Sequence, residues 1–109
     1  MERFFACPFL DARVILTARR LFHILEKHPE ALPDGIERLG DVLRRPDCVR
    51  ASARDSEVLL FSRWYDELLM GKHLVVVVRC DSADRGSSRV LTAYAARDLG
   101  PGEVLWHTS

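Results

Sequence analysis

Two histidines, His23 and His28, stand five residues apart in the segment His23-Ile24-Leu25-Glu26-Lys27-His28-Pro29-Glu30. Histidine titrates near about 6.5, so it can give or take a proton around neutral pH. With Lys27 and Glu30 alongside, this segment is the chain's best source of acid–base chemistry. Its spacing restricts the use of both rings together. At about 100° per residue a regular helix turns them about 140° apart. Either one acts while the other packs, or a site wraps around the helix end. His28 shares an apolar stripe with Leu21, Ile24 and Leu25, a position that favours a packed histidine bonded to a backbone carbonyl. His23 equally suits an ordinary solvent-exposed position.

A second group of functional side chains lies far along the chain. In Val90-Leu91-Thr92-Ala93-Tyr94 an extended backbone puts Thr92 and Tyr94 on one face. Two hydroxyls beside a histidine could orient a phosphate or protonate a leaving group; β-propensity alone also favours both residues. Arg63, Lys72, His73, Arg79 and Arg97 are cations in or beside extended segments, able to stabilise developing charge or simply to keep a sheet surface soluble. No His-Glu-x-x-His spacing or carboxylate cluster points to a metal. No serine or cysteine lies in a nucleophile turn, and phosphate-binding glycine loops are absent.

These residues need elements to position them. Residues Arg13 to Leu16 read as a short strand, and Thr17 is a suitable N-cap for a helix ending near His28, before Pro29. Asp34 and Glu37 form a capping box ahead of a second helix with the stripe Ile36, Leu39, Val42 and Leu43, stopped by Pro46. Gly40 within it costs roughly 1 kcal/mol relative to alanine and suits a close approach. The period then changes to two. Strands are predicted over 48–53, 58–65, 73–80, 89–96 and 103–107, with a helical turn at 67–70 and a tight turn through Gly100 and Gly102. Four consecutive valines, Val75 to Val78, suit a central strand covered on both sides. The expected architecture is α+β: two N-terminal helices packed on one face of a roughly four-stranded antiparallel sheet, with residues 1–12 as an extension.

Composition sets the outer bounds. The 109 residues are enough for one domain, and 48% hydrophobic with 29% charged residues describes an ordinary globular chain. Sixteen basic residues balance sixteen acidic ones, which argues against a protein that coats nucleic acid by bulk charge. Local basic groups remain, Arg19 with Arg20 and Lys27, and Arg44 with Arg45 and Arg50. Cys7, Cys48 and Cys80 are scattered, so no disulfide framework or zinc site is indicated. The N-terminus lacks a signal-peptide layout, and the longest apolar run is too short to cross a bilayer. A cytoplasmic protein with reduced thiols is expected.

Taken in order, the blocks His23-Ile-x-x-x-His28-Pro29-Glu30, Arg44-Arg45-Pro46-Asp47, the strand carrying Arg63, Leu74 to Val78, Thr92-Ala93-Tyr94 and Gly102-Glu-Val-Leu-Trp106 resemble a known group. They are similar to the phage- and mobile-element-associated nuclease-like domains of the barnase–EndoU–colicin–RelE superfamily. The likeness spans residues 13 to 106 and implies N-terminal helices against a four-stranded antiparallel sheet. It also implies a metal-independent ribonuclease, in the manner of a toxin or phage effector. Carried onto this chain, the catalytic candidates are His23, His28, Arg63, Thr92 and Tyr94, with Glu30 a weaker one. Arg19, Lys27 and Lys72 are the candidate substrate-binding cations. The implied partners are RNA and a protein inhibitor or antitoxin, with no cofactor and no membrane.

Two other readings stay open. One is a non-catalytic module of the same fold that binds protein or nucleic acid, with Phe4, Phe5 and Phe9 forming a dimer or antitoxin contact. The other is an enzyme acting on a small nucleotide.

Overall fold

The computed structural model describes residues 2–32, 36–81, 83–84 and 87–108. Its elements in chain order are β1 (Arg3–Cys7), β2 (Ala12–Leu16), α1 (Ala18–Lys27), α2 (Glu37–Arg44), β3 (Cys48–Ala51), β4 (Val58–Tyr65), β5 (Lys72–Arg79), β6 (Arg89–Ala96) and β7 (Glu103–His107). All seven strands join one sheet in the order β1-β2-β6-β5-β4-β3-β7. The α+β class stands, but the roughly four-stranded antiparallel sheet does not. The sheet has seven strands, and β2 meets β6 in parallel through Ile15 and Arg89, so it is mixed.

The extra strands come from both ends of the chain. Residues 3–7, expected as an extension, form β1 and pair with β2 from Arg3↔Leu16 to Cys7↔Ala12. The link between them is a 3-10 turn over Pro8–Leu10, closed by Asp11 with φ 53 and its N–H bonded to the Pro8 carbonyl at 3.0 Å. Aspartate tolerates this left-handed backbone better than most residues. At the far edge β7 pairs with β3 and leaves Val104, Leu105 and Trp106 exposed.

The helices begin and end for local reasons. Thr17 Oγ1 accepts the Arg20 N–H at 3.2 Å, which satisfies one of the free donors of the first turn of α1. Pro29 prevents continuation, and His28 becomes the C-cap. The expected Asp34 cap lies outside the described residues. Helix α2 starts at Glu37, buries Leu39, Val42 and Leu43, and stops before Pro46.

Strand alternation builds the core. Leu59 and Phe61 of β4, Leu74, Val76 and Val78 of β5, and Val90 and Ala93 of β6 meet Ile24, Leu39, Val42 and Leu43 of the helices in one cluster. Each such large side chain stabilises the fold by roughly 1.5–3 kcal/mol when fully buried. Ser62, Trp64, His73, Val75, Thr92 and Tyr94 alternate with these residues and turn to the opposite face. Val75 and Val76 are both sealed, as a central strand requires.

Two connections depend on local backbone geometry. The segment after β4 is a tight turn rather than the expected helical one. The Gly71 N–H reaches the Leu68 carbonyl at 2.9 Å, and Leu69 and Met70 take positive φ values of 48° and 66°. Positive φ at both central residues matches the right-handed twist of a hairpin. In α2 the ring of Phe5 lies directly over Gly40, so β1 is held against the helix where a side chain is missing.

Candidate functional site

His28 is placed by the end of α1. Its backbone has left the helix (φ −136°, ψ 61°) while its N–H still bonds the Ile24 carbonyl at 2.7 Å. The ring therefore departs from the apolar stripe and stays partly exposed. Its Nδ1 lies 3.5 Å from Glu30 Oε2, within ion-pair reach when the ring is protonated. Glu30 follows through the short 3-10 turn Pro29–Ala31, which folds the carboxylate back towards the ring. Nε2 is the nitrogen that Glu30 does not engage.

Tyr94 comes from the neighbouring β6. Its ring centre is 6.0 Å from that of His28, tilted by 48°. Arg20 of α1 reaches the same strand and donates to the Leu91 carbonyl at 3.4 Å. Thr92 shares the face with Tyr94, but its Oγ1 is buried without a hydrogen-bond partner among the described residues. In this arrangement the hydroxyl lies beneath the surface.

Strand register extends the cluster across the sheet. Tyr94 pairs with Val75, and His73 lies two residues along β5, facing Ala96. Diagonal neighbours of this kind are roughly 7–8 Å apart. The His73 ring meets Trp64 edge-on at 5.0 Å, and its Nδ1 is buried without a hydrogen-bond partner among the described residues. A line of side chains thus crosses three strands: His28 at the margin, Tyr94 on β6, His73 on β5 and Trp64 on β4. It combines two imidazoles, a phenol, an indole and one carboxylate.

The other expected residues lie elsewhere. His23 occupies the outer side of α1 in a shallow hollow with Arg19, Phe22 and Glu26. Lys27 is exposed at the last turn of α1. Arg63 is turned to the helix side of the sheet, because its partner on β5 is the core residue Leu74. There its Nη1 donates to the Arg45 carbonyl at 2.7 Å, and its guanidinium sits 5.8 Å from the Tyr65 ring centre. Lys72 faces Tyr65 on that same side. Of the five catalytic candidates, only His28, Thr92 and Tyr94 are brought together.

His73 joins them although the sequence pattern singled it out only as one cation among several. The signal was the register of β5 against β6, which alternation within one strand does not contain. Among the described residues no group of three or more His, Cys, Asp or Glu is disposed to hold a metal. Among the same residues no helix is long and apolar enough to cross a membrane. The thiol of Cys7 is pushed up by burial, and burial likewise raises Cys48. Neither is an activated nucleophile.

The chain matches no family model, no curated protein and no solved structure.

Proposed function

We propose that this protein cleaves RNA without a metal, by attack of a ribose 2′-hydroxyl on the adjacent phosphate at the sheet face around His28. One group removes the 2′-proton as the O2′–P bond forms. A second protonates the 5′-oxygen as the P–O5′ bond breaks, leaving a 2′,3′-cyclic phosphate and a 5′-hydroxyl. Proton transfer by a positioned histidine contributes about 10² to 10⁴ in rate.

The observation that carries this reading is the His28 ring lying 6.0 Å from Tyr94 while Glu30 engages its Nδ1. In the proposed mechanism His28 Nε2 takes the 2′-proton and Glu30 orients the ring. Tyr94 holds the phosphate from β6, with Thr92 two residues before it on the same face. Arg63 has no part, because it faces the other side of the sheet. His73 takes its place as the second protonatable group, supplying charge to the pentavalent oxygens and a proton to the leaving group. The likeness to the barnase–EndoU–colicin–RelE superfamily is a second support, carried by the His28-Pro29-Glu30 and Thr92-Ala93-Tyr94 blocks. A reducing cytoplasm suits the three free cysteines.

The test is incubation of purified protein in EDTA with an RNA oligonucleotide and with its fully 2′-deoxy counterpart. Cleavage of the first and survival of the second is expected, because the nucleophile is the 2′-hydroxyl. Cleavage of both would remove the mechanism.

One observation favours a partner protein on another surface. Phe22 is 68% exposed and Leu25 48% exposed on the outer side of α1. In this second reading the chain docks an inhibitor, or a second copy of itself, through that helix. The three phenylalanines near the N-terminus are each engaged separately: Phe5 lies over Gly40, Phe9 sits edge-on to Phe61, and Phe4 lies under the Arg13 guanidinium. Unchanged gel-filtration behaviour of F22S/L25S across concentrations, with inhibitor-free activity intact, would remove the self-association version.

A further inference from the structure

On the helix side of the sheet, opposite the proposed cleavage site, a cavity of about 520 Å³ opens between the Pro8–Leu10 turn, the end of α2 and the β7 edge. Its wall includes Phe9, Arg44, Arg45, Asp47, Arg63 and Trp106. We infer that this cavity binds a mononucleotide, with its base against Phe9 and Trp106 and its phosphate on Arg45 and Arg63.

The two aromatic rings are in different states of restraint. Phe9 is held edge-on to the core ring of Phe61, with centres 6.0 Å apart and planes at 84°. Trp106 stands on the exposed edge strand β7. Both line the cavity and keep solvent-accessible surface, 36% and 44%, so a flat ligand in the cavity can reach each ring. Stacking on such rings is tolerant of base identity, since every base has a π-face.

The charges discriminate between ligands. Arg44 is neutralised by Asp41 at 2.7 Å. Arg63 is fixed through one Nη by the Arg45 carbonyl at 2.7 Å, so its remaining N–H groups are held in place for an anion. Arg45 is exposed at the α2 C-cap and adds a second guanidinium on the wall of the same cavity. Guanidinium groups recognise phosphate bidentately. Asp47 uses one carboxylate oxygen to accept the Trp64 backbone N–H at 2.7 Å. Among the described residues its other oxygen has no hydrogen-bond donor, and it can accept an N–H from a base edge, a group that a plain aromatic carboxylate ligand lacks. The cavity also falls within the roughly 300–1,000 Å³ range of small-molecule sites. This site uses none of His28, Tyr94 or His73, so it stands whether or not RNA is cleaved.

Tryptophan emission provides the test. The chain has two tryptophans, and W64F leaves Trp106 as the single reporter. In that background GMP or AMP is expected to quench emission saturably, with half-saturation below about 1 mM. Guanosine, adenosine and inorganic phosphate, each offered alone, bind at least about tenfold more weakly, as do R45Q and R63Q with the nucleotide. A 2′-deoxy trinucleotide that binds more tightly than the monophosphate assigns the base to a nucleic-acid strand; weaker binding assigns it to a free nucleotide. Arg45 is exposed, so R45Q decides the matter if R63Q fails to fold. Absence of quenching by any nucleotide up to about 10 mM, or undiminished binding by R45Q, overturns the inference.

Discussion

Replacing Gly40 by alanine tests how the unanticipated strand β1 is held. A Cβ built at Gly40 would lie 2.8 Å from Phe5 Cδ1 and 3.0 Å from Cε1. Carbon atoms pack at about 3.5–4.0 Å, so the ring would have to move by about 0.7 Å or more. Such overpacking costs about 1–3 kcal/mol. Against it, exchanging glycine for alanine within a helix gains about 1 kcal/mol. The balance for G40A alone is a loss between about 0 and 2 kcal/mol. In an F5A background the obstacle is gone, and G40A should stabilise by about 1 kcal/mol. The two changes are therefore coupled by about 1–3 kcal/mol, well above the few tenths expected for independent sites. Urea denaturation of the four proteins gives each free energy from its midpoint and slope. If G40A raised stability equally in both backgrounds, Phe5 would not be seated on α2. The docking of β1 would then be wrong.

Three further outcomes follow from specific contacts. Leu69 and Met70 hold positive φ in the β4–β5 turn and are exposed, so L69N/M70G should gain about 1 kcal/mol. A lowered thermal midpoint would contradict that backbone. The Tyr65 hydroxyl is buried without a hydrogen-bond partner among the described residues, and burial pushes its phenol upward. Y65F should match or exceed the parent by up to about 1 kcal/mol in denaturant, and a clear loss would reveal a missing partner. The Glu57 N–H and the Arg79 guanidinium hold the Asp55 carboxyl below its ordinary value near 3.8. A lowered folded-state value means this contribution is present above that ordinary value and is lost as pH falls through the lowered one. D55N should therefore lose less stability than the parent below about pH 4; superimposable stability curves would refute the linkage.

Much of the fold was legible because its signals are local. Thr17, Pro29 and Pro46 mark helix ends by hydrogen bonding and ring geometry, and those ends are where the structure has them. Alternation predicted β4, β5, β6 and β7 nearly to the residue, and it correctly put Thr92 and Tyr94 on one face. β1 was missed because only Phe5 and Cys7 of its five residues turn inward. Too few positions repeat to show a period. The Pro8 and Asp11 turn before Arg13-Val14-Ile15-Leu16 was the available sign of a hairpin. The parallel contact of β2 with β6 joins residues 15 and 89, a pairing with no local trace. Similarly, parity separated Arg63 from Trp64 but could not say which of them faces the helices. That depends on the register of β4 with β5, which sets Arg63 opposite Leu74 and Trp64 opposite His73. That register removed Arg63 from the site, and the register of β5 with β6 brought His73 into it.

The most direct test of the central claim is the rate of RNA cleavage in EDTA by H28Q and H23Q, compared with the parent protein. Both variants should be checked for native folding, and the product ends identified by mass. The expected result is a 2′,3′-cyclic phosphate product from the parent and from H23Q at similar rates. H28Q should be slower by about 10² to 10⁴. Intact RNA with the folded parent protein, or equal cleavage by H28Q, would contradict a catalytic His28.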